Sequence, residues 1–174
     1  MLIFLLGFMG SGKSFCGKRI AANFDVPFFD LDHEIESSEK KSIKELFDVK
    51  GENVFRQIES AVLIDLVNKN NINSNQVSGV IACGGGTPCY HGNVEFMNQN
   101  GLTVWLDPSI ETLIKRLKPG KSHRPLIENF SDAELEAFIH SKLSERAMYY
   151  GQAKMHYEGN DCPLDQVKTF LNNE

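Results

Sequence analysis

Gly7-Phe8-Met9-Gly10-Ser11-Gly12-Lys13-Ser14 constrains this chain more than any other stretch, because it matches G-x-x-x-x-G-K-[ST] in full. Its surroundings give the pattern physical meaning. Leu2-Ile3-Phe4-Leu5-Leu6 before it reads as a buried strand, and Phe15, Ile20, Ala21 and Phe24 after it mark the apolar positions of a helix. In a strand–loop–helix setting, glycines let successive backbone N–H groups converge on phosphate oxygens, and the helix N-terminus adds its positive dipole end. Gly10, Ser11 and Gly12 then shape a phosphate cradle, Lys13 reaches the β- and γ-phosphates, and the Ser14 hydroxyl ligates Mg²⁺.

The rest of the chain is organised around that loop. Apolar runs alternate with amphipathic segments, the βαβα signature of a parallel sheet covered by helices. Strands are expected at Leu2–Leu6, Pro27–Leu31, Gly79–Cys83 and Leu102–Leu106, with a weaker one at Met155–Tyr157. Their unbroken apolar character fits strands buried on both faces. Ser42 with Glu45, and Ser131 with Glu134, form capping boxes that open helices. Ser109 opens another, with Ile110, Leu113, Ile114 and Leu117 on one face, and Pro163 suits the first position of a C-terminal helix. A helix is also expected from about Glu52 to Asn68. Two polar stretches, 118–125 and 158–162, read as loops.

A length of 174 residues suits one domain, and 41% hydrophobic with 24% charged residues is ordinary for a globular protein. No apolar run approaches the ~20 residues that span a bilayer. The first residues lack a basic n-region and run into glycines and Lys13, so they read as a strand rather than a signal peptide, and a cytosolic protein is expected. Cys16, Cys83, Cys89 and Cys162 form no CxxC pair and read as reduced, partly buried thiols. A net charge of −5 argues against broad nucleic-acid or anionic-membrane binding, so anionic ligands must be held by local Lys and Arg.

Several residues could face the phosphates. Asp30 and Asp32, at the end of the second strand, are two apart and so share a strand face, beyond the carboxyl edge where ligands bind in open parallel sheets; a solvated strand end or a helix cap is the alternative. Arg56 and Glu59 are three apart on a helix, a spacing that lets the carboxylate orient the guanidinium but also suits a plain surface ion pair. Gly84-Gly85-Gly86 after the third strand permits close approach of backbone to another segment or a ligand. Arg146 and Tyr150 lie late in the helix opened by Ser131.

Taken together, the phosphate loop, Asp30-Leu31-Asp32, Phe55-Arg56-Gln57-Ile58-Glu59, Gly84-Gly85-Gly86, Arg124-Pro125-Leu126 and Arg146-Ala147-Met148-Tyr149-Tyr150 resemble the shikimate kinases, in order and spacing, over nearly the whole chain. The resemblance implies a P-loop kinase fold, three-layer α/β/α with a five-stranded parallel sheet. It also implies a single domain over 1–174 with a lid at about 118–130 and a substrate-binding segment at about 32–60. It further implies transfer of the γ-phosphate of MgATP to the 3-hydroxyl of shikimate by a monomer, with one Mg²⁺. Asp32 then looks like the acceptor of the attacking proton, with Lys13 and the lid Arg124 as its catalytic companions, and Asp30 holds the water shell of the metal beside Ser14. Asp32, Arg56, Gly85 and Arg146 would bind shikimate. Phe15, Arg116, Arg124 and Asp161 would join the cradle in holding ATP. One departure is Ala82, where many members carry Ser near the metal's water network. The rival readings are a kinase of another small metabolite, such as gluconate or a nucleoside monophosphate, and a non-catalytic nucleotide-binding module.

Overall fold

A computed structural model of the chain describes residues 1–70, 76–119 and 127–173. The expected roles of Arg124, Pro125 and Leu126 therefore lie outside the described residues. Strands β1 (Leu2–Leu6), β2 (Phe28–Asp30), β3 (Gly79–Ala82), β4 (Gly101–Leu106) and β5 (Met155–Tyr157) form one sheet of order β2-β3-β1-β4-β5. Every neighbouring pair is parallel, with Leu2 opposite both Gly79 and Gly101. All five expected strands are present.

Successive residues of β1 explain its unbroken apolar run. Leu2, Phe4 and Leu6 point into one core with Leu31, Ile35, Leu46, Leu63 and Met97, while Ile3 and Leu5 point into another with Ile20, Leu102, Val104 and Val167. All five β1 side chains are fully buried, each burial stabilising by about 1.5–3 kcal/mol. The helices supplying these faces are α1 (Lys13–Phe24), α2 (Leu31–Glu39), α3 (Ile43–Asn70), α4 (Asn93–Asn100), α5 (Ile110–Leu117), α6 (Asp132–Tyr150) and α7 (Leu164–Asn172). A third core joins Phe8 of the phosphate loop to Leu113 and Leu117 of α5 and to Leu135 and Ile139 of α6, so the loop is packed against the helices on either side of residues 118–130.

Both capping boxes form. The Ser42 and Ser131 backbone N–H groups donate to Glu45 (2.8 Å) and Glu134 (2.7 Å), and the return bonds are 3.2 and 3.3 Å. Within α3, the helix from Ser42 and the one expected from Glu52 are two helices that meet at a kink at Gly51, whose φ of 76° and ψ of 167° are not helical. Pro163 caps α7 from outside instead of occupying its first turn. A larger correction concerns Asp30 and Asp32. The strand ends at Asp30, which becomes the N-cap residue of α2, so Asp32 lies in a first helical turn and the strand-alternation reading fails. Leu31 and Ile35, four apart and both fully buried, anchor that turn to the core, while Asp32 and Glu34 complement its positive end.

Candidate active site

The chemistry collects at the carboxyl edge of the sheet, where β1, β2 and β3 deliver the phosphate loop, Asp30 with α2, and the glycine triplet. Gly12 caps α1 at φ 99° with no side-chain bond, leaving the first N–H groups of the helix to a ligand of negative charge. Lys13 folds over the loop and donates to the carbonyls of Gly7 and Phe8, both at 2.9 Å. Burial pulls its pKa down to about 8 against the attraction of Asp32, Cys83 and Asp30, so it stays mainly cationic at neutral pH. Ser11 Oγ is buried without a hydrogen-bond partner among the described residues, a polar atom placed inside the cradle. Ser14 Oγ donates to Asp30 Oδ2 at 2.7 Å, joining the two residues expected around the metal.

Asp32 reaches the same cleft from α2. Asp32 is an exposed residue, and its carboxyl stands beside Gly84 with Glu59 and Thr87 as neighbours. Desolvation there, then repulsion from Asp30 and Glu59, pushes its pKa up to about 6 despite Lys13. A carboxylate poised near neutrality suits proton transfer.

The glycine triplet explains why two arginines meet here. A Cβ on Gly86 would lie 2.6–2.8 Å from the guanidinium of Arg56, and one on Gly85 would lie 3.1 Å from Arg146 Nη1 and 3.6 Å from the Gly7 carbonyl. The backbone thus runs between both guanidiniums and touches the phosphate loop. Arg146 Nη1 donates to the Gly85 carbonyl at 3.1 Å, and the Tyr150 hydroxyl donates to the same oxygen at 2.5 Å. Arg56 Nη1 donates to Glu59 Oε2 at 2.8 Å with both residues buried, which rules out the surface ion pair. Thr87 donates to the other Glu59 oxygen at 2.6 Å, so the carboxylate that aims Arg56 is itself fixed. Burial opposes the charge of Arg56, but Glu59 and then Glu52 raise its pKa above the ordinary value. Arg56 and Arg146 line one cleft of about 500 Å³.

On the opposite side of the loop, Arg116 donates to the carbonyls of Gly10 (3.2 Å), Ser11 (3.1 Å) and Asn160 (2.5 Å). With Ser11, Gly12, Phe15, Cys16 and Asn160 it borders a recess of about 220 Å³. Asp161 is exposed and does not line that recess; its carbonyl accepts from Cys16 Sγ at 3.9 Å. Lys13, Asp30, Asp32, Arg56, Gly85 and Arg146 are therefore brought together as expected, with Arg116 and Phe15 at the adjoining recess. Sequence reading missed Tyr90, whose ring lies 4.5 Å from the Arg56 guanidinium, and Glu52, which accepts from that guanidinium. Glu52 was findable, since it stands four residues before Arg56 on the same helix; nothing local marks Tyr90.

Known proteins resemble this chain in sequence and in fold. The family model described as shikimate kinase matches residues 9–172. A shikimate kinase of Bacteroides thetaiotaomicron is 40% identical over 159 residues, 91% of this chain and 87% of the relative. The crystal structure of shikimate kinase from the same organism superimposes with a TM-score of 0.84 at 37% identity, covering 99% of this chain and 95% of that one. A shikimate kinase from Acinetobacter baumannii in complex with shikimate gives 0.81 at 30% identity, covering 99% and 91%. The sheet and its flanking helices are thus the P-loop kinase fold, and the chain belongs to the shikimate kinase family.

Proposed function

We propose that this chain transfers the γ-phosphate of MgATP to the 3-hydroxyl of shikimate, giving shikimate 3-phosphate and ADP. One observation carries the reading: the glycine triplet runs against two guanidiniums and the phosphate loop at once, and both guanidiniums line a single cleft with Met9 of that loop. Planar guanidinium forks match a carboxylate, so Arg56 and Arg146 grip the acid group of the substrate with Gly85 between them. Asp32 accepts the proton of the attacking hydroxyl as its oxygen bonds to the γ-phosphorus and the bond to the β–γ bridging oxygen breaks. Lys13, with Arg124 from residues 118–130 acting as a lid, balances the negative charge on the transferring group. Phe15, Arg116 and Asp161 edge the nucleotide.

The donor set fits one magnesium ion. Ser14 Oγ and Asp30 Oδ2, hard oxygens 2.7 Å apart beside the cradle, suit a cation that keeps water and is otherwise held by substrate phosphates, with Asp30 acting through water. When bound, that ion supplies charge neutralisation at the phosphate oxygens. The described groups of the site gather at one sheet edge, and the enzyme is read as a monomer and a single domain over 1–174 with the substrate-binding segment at about 32–60. Four free cysteines agree with a reducing, cytoplasmic setting.

The test is ADP release from MgATP with shikimate as sole acceptor against buffer alone, followed by Arg56→Lys. Lysine keeps the charge and loses the fork, so the KM for shikimate is expected to rise roughly 10- to 100-fold with the KM for ATP unmoved. Equal effects on both ligands would remove the clamp.

A further inference from the structure

The guanidinium of Arg56 presents two different edges, and both carry a carboxylate of this chain. Nη1 bonds Glu59, which is 1% exposed and held from behind by Thr87, at 2.8 Å. The side edge, Nε with Nη2, points at Glu52, and the contrast between the two partners is large. Glu52 offers one oxygen, Oε1, shared between Nε at 3.4 Å and Nη2 at 3.2 Å, and its side chain is 53% exposed. The same oxygen accepts from the Tyr90 hydroxyl at 3.1 Å, and Tyr90 lays its ring over the guanidinium. Glu52, Arg56, Tyr90 and Arg146 all line the cleft of about 500 Å³.

Nε with Nη2 is the edge whose two parallel N–H groups match a carboxylate bidentately. A single shared oxygen at these lengths uses it poorly, whereas Glu59 uses its own edge well. We infer that Glu52 is an internal stand-in for the substrate carboxylate, a specificity-determining residue that occupies the reading edge of Arg56 until an acid group with two well-placed oxygens displaces it. The inference rests on Arg56 being the carboxylate clamp of the proposed reaction. Displacement needs only a rotation of the Glu52 side chain, which is open to water and follows the helix break at Gly51. Glu52 also sharpens selection. A neutral polyol entering the cleft would have to break the Glu52 pair with nothing to replace it, while a carboxylate exchanges one anion for another.

Glu52→Gln keeps the size of the side chain and removes the competing charge. An exposed ion pair holds by about 0.2–1 kcal/mol, so relieving the competition lowers the KM for shikimate by about 1.5- to five-fold, with the effect on KM and not on kcat. Acetate, tested as a plain carboxylate competing with shikimate, inhibits this variant at correspondingly lower concentration than the parent enzyme. A shikimate KM that stays the same or rises in Glu52→Gln, or an unchanged acetate inhibition constant, overturns the inference and assigns Glu52 to the support of Arg56. Arg56→Lys separates the two levels: if that change leaves shikimate binding intact, the clamp itself is wrong; if it weakens binding while Glu52→Gln fails to tighten it, only the stand-in role falls.

Discussion

Asp32→Asn lowers kcat by about two to four orders of magnitude while the protein stays folded. Asparagine keeps the shape of the side chain and cannot take a proton from the attacking hydroxyl. The same residue gives the parent enzyme its acid limb. With the carboxyl pushed up to about 6, kcat/KM rises as pH increases through 6, and it declines above about 8 as Lys13 loses its proton. The variant loses the acid limb. Stability moves in the opposite sense. A carboxyl whose folded pKa of about 6 exceeds the ordinary 3.8 favours the folded state below about pH 4, and that contribution is lost as pH rises through 6. Ionised Asp32 therefore weighs against folding at neutral pH, and Asp32→Asn has a Tm at pH 7.5 equal to or above that of the parent. Pre-steady-state phosphoryl transfer and a thermal melt on the same sample check both halves; near-normal turnover ends the proton-acceptor role.

Gly86→Ala raises the KM for shikimate by roughly 10- to 150-fold, the loss of one charge-assisted buried contact. The backbone at Gly86, with φ −95° and ψ −17°, is open to any residue, so the effect is steric alone. The added methyl would fall within 2.6–2.8 Å of three guanidinium atoms, and those atoms are buried and tied to Glu59, so Arg56 has to leave its position. The KM for ATP stays within two-fold, about the scatter of an uninvolved site. Isothermal titration with each ligand separately measures the split, and equal weakening of both would show that the triplet serves the sheet and not the clamp.

Much of the fold was legible because its signals are local. Leu2–Leu6 announces a strand buried on both faces, and Ser131 with Glu134 closes its box within one turn. Residues 31–39 were harder. Asp30-Leu31-Asp32 continues an apolar run with strand-like alternation, and only the burial of Leu31 beside Ile35 decides for a helix, a tertiary fact. The site divides in the same way. Lys13 and Ser14 are fixed by the motif, whereas the i,i+3 spacing of Arg56 and Glu59 is identical for a surface pair and a buried one. What buries them is Gly86, Thr87 and Tyr90, from a segment about thirty residues on, brought in by the pairing of β3 with β1 and β2.

The nineteen-residue α6 has a mechanical consequence. At about 1.5 Å per residue it is a rod of nearly 30 Å, begun by a capping box just after residues 127–130 and pinned at its far end where Arg146 and Tyr150 hold one carbonyl of the triplet. Its N-terminal half rests on Phe8 through Leu135 and Ile139. One stiff element therefore braces both sides of the site, tied to the phosphate loop along its length and to the glycine triplet at its tip.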